Sequence, residues 1–188
     1  MSKYQKLYDG IGRAAWGYFF VYFNFNINSV NLIPTFIGYI LFLSAIDCLC
    51  EEERELDLLR ILGGILTVWH IVSWLAGLVS IDLDGMLQAI DIVIGVVNIY
   101  FHFQLLTNLA SIAAKYQPEG YYLNEKLLHY RTLQTIMLTS VIIIGYLAKW
   151  LGDIATVSSV IMIIAYLIAG VLLMKALFDL RRCLPMDS

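Results

Sequence analysis

Apolar residues run almost unbroken through six windows of this chain, at residues 11–27, 32–50, 58–79, 86–106, 132–150 and 154–177. A helix needs about 20 such residues to cross the ~30 Å hydrocarbon core of a bilayer. The pattern predicts an all-α, polytopic membrane protein: one transmembrane domain over residues 1–188, a compact bundle of six helices. The first window is the weakest, because it carries Arg13, Asn24 and Asn26. Lys3 and Lys6 precede it as in a signal peptide. The run then passes into Asn24, Asn26, Asn28 and Asn31 without a small-residue cleavage site, so an uncleaved first helix is expected. From Phe23 to Asn28 aromatic or aliphatic residues alternate with Asn, a period of two that predicts an extended segment between the first two helices. Pro34 suits the first turn of helix 2, where a missing N–H costs nothing.

Composition agrees with this pattern. Hydrophobic residues make up 60% and charged residues 14% of the chain, too little polar surface to solvate a water-soluble domain of 188 residues. Cytoplasmic loops concentrate Lys and Arg, which gives a test of orientation. With six crossings, 11 of the 12 basic residues fall on one side and Lys149 alone on the other. If the first segment only lay on the surface, Lys3, Lys6 and Arg13 would change sides and the split would fall to 8 against 4. Both termini are therefore expected in the cytoplasm, and the protein in a bacterial plasma membrane. A net charge of −3, with no unopposed basic face, excludes a nucleic-acid footprint. Residues 115–130, containing Pro118 and Gly120, form the longest polar stretch and are expected as a cytoplasmic loop. Asp9 and Arg13 stand four apart, a spacing that can close an ion pair.

Helix 4 carries the most suggestive pattern. Gln88, Asp91, Gly95, Asn98 and His102 recur at intervals of three and four and share one helical face. Polar groups at this depth are costly, turn toward the bundle interior, and count as candidate functional residues. Asp91 lies toward the outside, Asn98 near the midplane and His102 toward the cytoplasm. Helix 3 adds His70, Ser73 and Trp74 at mid-depth, and helix 5 adds Thr132, Thr135 and Thr139 on one face. These residues either line a polar cavity or bond helix to helix, at ~0.6 kcal/mol per bond. Gly63-Gly64 and the Ala165/Ala169 pair are close-packing signals.

Other groups are read more plainly. The run Glu51, Glu52, Glu53, Arg54, Glu55, Asp57 suits the N-terminal end of helix 3, where the dipole favours acids. It is either a solvated turn offsetting Arg54 and Arg60 or a docking surface for a cytoplasmic partner. Cys48, Cys50 and Cys183 fall at the reducing face. Cys48 and Cys50, two apart on a helix, diverge, which disfavours a zinc site completed by His129. Asp82, Asp84, Asp91 and Asp153 oppose only Lys149 on the outer side, either an acidic mouth that concentrates cations or the residue of keeping basic groups inside. No Gly-x-Ser-x-Gly or His-Glu-x-x-His motif is present. No cofactor or metal is expected.

Two resemblances extend this reading. The string Asn31-Leu32-Ile33-Pro34-Thr35-Phe36-Ile37-Gly38-Tyr39-Ile40-Leu41 is similar to a signature of small uncharacterised multi-pass membrane proteins of Gram-positive bacteria. Chain length, six helices and cytoplasmic termini together resemble the substrate-binding S-components of energy-coupling factor transporters. That second resemblance implies binding of a small solute within the helices. The expected function is binding of a small cationic or zwitterionic solute or a lipid-like ligand, in transport or as the membrane subunit of a larger assembly. His70, Ser73, Trp74, Gln88, Asp91, Asn98, His102, Thr135 and Thr139 would line the site. The alternatives are an intramembrane enzyme using His70, His102 or Asp91 as acid–base groups, and a non-catalytic interaction or immunity protein.

Overall fold

The structure, a computed structural model, describes residues 2–23, 26–27, 30–31, 34–53, 55–79 and 88–185. For residues 26, 27, 30, 31, 88, 89, 148–151 and 153–155 it describes the backbone alone. Six helices follow one another among them: α1 (Lys3–Tyr22), α2 (Thr35–Leu49), α3 (Leu56–Leu78), α4 (Gln88–Tyr116), α5 (Leu123–Leu151) and α6 (Asp153–Cys183). Within the period-two segment the described residues Asn26 and Ile27 are extended, as expected. β1 (Asn26–Ile27) pairs antiparallel with β2 (Val30–Asn31), Asn26 opposite Asn31 and Ile27 opposite Val30. Pro34 stands one residue ahead of α2 as its N-cap.

Hydropathy marked the apolar part of the helices and missed the polar extensions of α1, α4, α5 and α6, while the first window, 11–27, runs past the end of α1 at Tyr22 into β1. α4 continues ten residues beyond 106, and α5 begins nine before 132, so the expected loop at 115–130 shrinks to residues 117–122. A helix satisfies its own backbone and can leave the bilayer without cost; only its ends need partners. Here the Gln117 amide donates to Asn124 Oδ1 (2.8 Å) and accepts from the Asn124 backbone N–H (3.1 Å), capping α5. Gly120 supplies the left-handed turn at φ +85°.

Four helices, α3 to α6, are long and apolar enough to cross a membrane. α2, with 15 residues, reaches only ~22 Å, and α1 includes Lys3, Lys6, Asp9 and Arg13 among its 20 residues. Yet α1 is among the most enclosed helices. It packs between α2 and α6 and buries Leu7, Ile11, Ala14, Ala15 and Tyr18. Its polar groups are answered inside the protein. Arg13 donates to Ser44 Oγ (2.5 Å) and approaches Cys48 Sγ (3.4 Å), while Asp9 accepts from Gln5 (3.2 Å). The anticipated Asp9–Arg13 pair does not form, because the guanidinium is drawn across to α2. Each helix packs on its neighbours in sequence, and α6 returns to α1.

Glycine sets the closest approach. A Cβ on Gly38 would stand 2.7 Å from the Gly17 carbonyl oxygen, and one on Gly17 would stand 2.6 Å from the Phe42 ring, so α1 and α2 cross nearly backbone to backbone. The Gly63-Gly64 pair divides. Gly63 is buried against Leu43 and Phe101, whereas a Cβ on Gly64 would meet nothing within 4 Å. Outward-facing Ile61, Val68, Val72, Val93, Val96, Ile136, Val160 and Ile164 are all exposed, an apolar coat too extensive for water and suited to lipid.

The acidic run divides: Glu55 stands at the N-cap of α3, which begins at Leu56, and Asp57 lies in its first turn as expected, whereas Glu51, Glu52 and Glu53 form the turn after α2. Among the described residues their counter-ions come from α1 and α4. Glu51 pairs with Lys6, Glu52 with Lys3, and Glu53 with Lys115 (2.7 Å), so the turn joins α1 to the end of α4. Tyr116 Oη and Ser111 Oγ donate to Glu52 (3.0 Å) and Glu53 (2.7 Å). Arg60 pairs with Asp47 (2.7 Å), Gln104 donates to Glu55 (2.9 Å), and Arg54 lies outside the described residues. The Lys3 hydrogen bond, helped by Tyr116, holds the Glu52 carboxyl below its ordinary pKa. Burial pushes Glu53 up, but hydrogen bonds from Lys115 and Ser111 outweigh it and the net shift is down. A depressed carboxylate contributes stability that is present above its unfolded pKa and lost as pH falls through the folded one. Thermal melts in detergent should therefore show stability falling as pH drops below ~4.3, the ordinary glutamate value. The double variant E52Q/E53Q should be less stable at pH 7 and show a flatter acid limb. An unchanged acid limb would mean that this turn does not hold α1 to α4.

Candidate functional site

α2 brings a tyrosine to the centre of the protein. Tyr39 is 1% exposed, and its ring stacks on His70 of α3 with centroids 4.8 Å apart and planes 13° apart. Its hydroxyl donates to Asn98 Oδ1 (2.5 Å) and lies 3.3 Å from His102 Nε2, both on α4. Three of the sequence-predicted residues, His70, Asn98 and His102, thus meet around one side chain that the sequence reading passed over. The phenol has one proton and gives it to Asn98, so toward His102 it can only accept. His102 then carries its proton on Nε2, and its Nδ1 presents a lone pair. That Nδ1 is buried and has no hydrogen-bond partner.

From His102 the cluster continues through α1. The His102 ring lies 5.4 Å from Tyr18, Tyr18 lies 5.9 Å from Tyr22, and Tyr22 packs at 4.3 Å on Tyr166 of α6. A Cβ on Gly170 would stand 2.5 Å from the Tyr22 ring, so that glycine makes room for the contact. Tyr166 in turn approaches Gln134 of α5 without reaching hydrogen-bond geometry. One thread of tyrosine, histidine and amide groups therefore touches all six helices. Phe42 and Phe101 close over its middle, each ring within 6 Å of both Tyr39 and His102.

Depth is shared as well. Tyr18 is 15 residues from the start of α1, His70 is 14 from the start of α3, and His102 is 14 from the end of α4. At 1.5 Å per residue all three lie roughly 21–22 Å from the charged end. Along the thread, Tyr18 Oη, His102 Nδ1 and both amide atoms of Gln134 are buried without a hydrogen-bond partner. Each such atom in a buried site costs about 1–3 kcal/mol. Three further such atoms, on Asn108, Arg131 and Arg181, lie off the thread, so four of the seven fall on it and make it the candidate site.

The remaining expected residues stand apart from this centre. Trp74 packs edge-on against Phe36 at 5.6 Å, and Ser73 is half-buried beside it in sequence. Asp91 is half-buried, seven residues along α4 from Asn98, which places it ~10 Å farther from the charged end. Thr139 is exposed, and the Thr132 and Thr135 hydroxyls donate to the Leu128 and Arg131 carbonyls of their own helix. The inward residue of α5 is Gln134, 2% exposed, which sequence reasoning missed in favour of the threonines. Its signal was present: a lone amide in an apolar helix. The side chains of Gln88, Lys149 and Asp153 lie outside the described residues, as do Asp82 and Asp84. Cys48, Cys50 and Cys183 are half-buried thiols at the charged end.

No family model matches the chain, and no curated protein or solved structure proves similar to it.

Proposed function

We propose that this is a six-span membrane protein that binds a small cationic or zwitterionic solute at the central thread, in transport or as the membrane subunit of a larger assembly. The observation that carries the reading is the set of unpartnered buried atoms on Tyr18, His102 and Gln134. Among them, the lone pair of His102 Nδ1 and the Gln134 carbonyl ask for N–H or O–H donors. The surrounding faces of Tyr18, Tyr39, Phe42 and Phe101 suit a cation, which aromatic rings attract by ~2 kcal/mol or more when desolvated. Asp91 would meet the same cation on its way in from an acidic outer mouth. Both termini and the Glu51–Asp57 side face the cytoplasm in this proposal, and the membrane is a bacterial plasma membrane. The architectural resemblance to S-components belongs to the same reading.

Orientation is tested by cysteine labelling: positions 28 and 84 should react from outside, and position 119 from inside. Reaction of 84 and 119 from one side would overturn it. The binding reading is tested by native mass spectrometry of protein extracted gently from its own membrane, with Q134L alongside. Q134L removes two unpartnered polar atoms and should raise the melting temperature while losing the co-purifying solute. Asp91→Asn should weaken its retention, and Cys48→Ser with Cys50→Ser should leave it unchanged. Retention by Q134L, or loss with the cysteine variant alone, would move the site away from the thread. Turnover abolished by a His70 substitution would instead favour the intramembrane enzyme. Activity that follows Glu51, Glu55 and Asp57 would favour an interaction protein docking at that face.

A further inference from the structure

At the charged end, the start of α5 and the end of α6 diverge around two adjoining cavities of about 490 and 140 Å³ that share Leu123, Lys126 and Asp179 as walls. Three cations border them, Lys126, Lys175 and Arg182, against one carboxylate, Asp179. Arg182 lies 3.9 Å from Asp179, a loose contact on an exposed side chain. Lys126 and Lys175 are exposed, and neither makes an ion pair or side-chain hydrogen bond among the described residues. Among the other described basic residues, Lys3, Lys6, Arg60 and Lys115 are each matched to an acid, Arg13 bonds to Ser44, Arg131 to Thr107, and Arg181 lies over the Tyr8 ring, so Lys126 and Lys175 are the two left without such a partner. Tyr130 turns a further wall of the smaller cavity.

Depth distinguishes this furrow from an ordinary basic surface. Lys175 is eight residues from the end of α6, or ~12 Å inside it. Directly in line at intervals of three and four run Val171, Ile168, Ile164, Ile161 and Val157, all more than half exposed. A lysine that ends an outward apolar stripe sits where its stem lies in hydrocarbon and its ammonium reaches the interface. The stripe from Val157 to Val171 covers 15 residues, ~21 Å from end to end, more than one leaflet's half of a ~30 Å core.

We propose that this furrow binds the phosphate of an anionic phospholipid, with Lys126, Lys175 and Arg182 around the headgroup and an acyl chain along the α6 stripe. Basic pockets between helices at the cytoplasmic interface recognise anionic headgroups in this way. The net surplus of two positive charges favours a lipid with net negative charge over a zwitterionic one. The site is separate from the central thread, and neither requires the other.

The test places the protein in nanodiscs of equal phosphatidylglycerol and phosphatidylcholine and counts lipids retained on gentle activation in the mass spectrometer. The native chain should retain phosphatidylglycerol at least five-fold over phosphatidylcholine. K126Q/K175Q should bring that ratio near one, K175R should keep it, and K6Q, at a lysine outside the furrow, should not change it. The altered lysines are surface residues, and an unchanged melting temperature confirms that the variants fold. An equal ratio in the native chain, or a preference that survives K126Q/K175Q, overturns the proposal. Binding of inorganic phosphate in detergent that depends on the same lysines, without any lipid preference in nanodiscs, would assign the furrow to a soluble anion and also overturn it.

Discussion

Gly38→Leu should prevent this protein from accumulating in a folded state. The Gly38 Cβ would fall 2.7 Å from the carbonyl oxygen of Gly17 and 3.0 Å from Val21, contacts that no side-chain rotation relieves because the nearest atom is backbone. Overpacking of a tight interior typically costs about 1–3 kcal/mol and occasionally more. Even Gly38→Ala belongs at the upper end of that range, and Leu beyond it. The α1–α2 crossing would open, and with it the seat of Tyr18 and Phe42, whose rings lie 4.8 Å apart. Gly64→Ala is the matched control. It has open space around it, and alanine in a helix is worth up to ~1 kcal/mol over glycine. Fluorescence-detected size exclusion with thermal challenge should show Gly38→Ala melting well below the native chain and Gly64→Ala at or above it. Equal melting of the two would mean that α1 and α2 do not cross at Gly17 and Gly38.

Tyr39 carries the second large effect. Truncating a buried aromatic to alanine costs about 3–5 kcal/mol. Here it also strips the bonding partner from Asn98 and His102 and the stacking partner from His70. Tyr39→Phe isolates the hydroxyl: packing stays, while the carboxamide and imidazole lose their bonds, at about 1–3 kcal/mol. Tyr39→Ala should thus melt far below Tyr39→Phe, and Tyr39→Phe below the native chain. If Tyr39→Phe matched the native chain, the hydroxyl would not be the link between α2 and α4. The pair of variants also separates packing from polarity at the thread, since solute retention lost in Tyr39→Phe at near-native fold would place the hydroxyl in the binding arrangement.

What the sequence by itself determined is the helical, membrane-spanning character of the chain and the helix face on which some of its polar groups stand. Apolar windows of membrane length leave no other way to satisfy the backbone in lipid. The spacing of Asn98 and His102 set them on one face of α4, where the structure finds them, and the period-two run around Asn26 announced β1. Tertiary structure decided how far each helix runs. Polar extensions such as the end of α4 and the start of α5 look like loop until Gln117 and Asn124 are seen to cap each other. It also decided the partners of charges. At the start of helix 3 the acidic run reads as a solvated turn offsetting Arg54 and Arg60 or as a docking face, and only the meeting of α1, α4 and the α2–α3 turn assigns Glu51, Glu52 and Glu53 to Lys6, Lys3 and Lys115. Finally it chose the centre. Tyrosine counts as apolar in a hydropathy window, so Tyr18, Tyr39 and Tyr166 carried no signal, and Gln134 stood unnoticed beside more regular threonines. Their convergence comes from helices distant in sequence, joined at contacts such as Gly17 on Gly38 and Gly170 on Tyr22. Periodicity reports the face a residue takes on its own helix; which faces meet is fixed by packing.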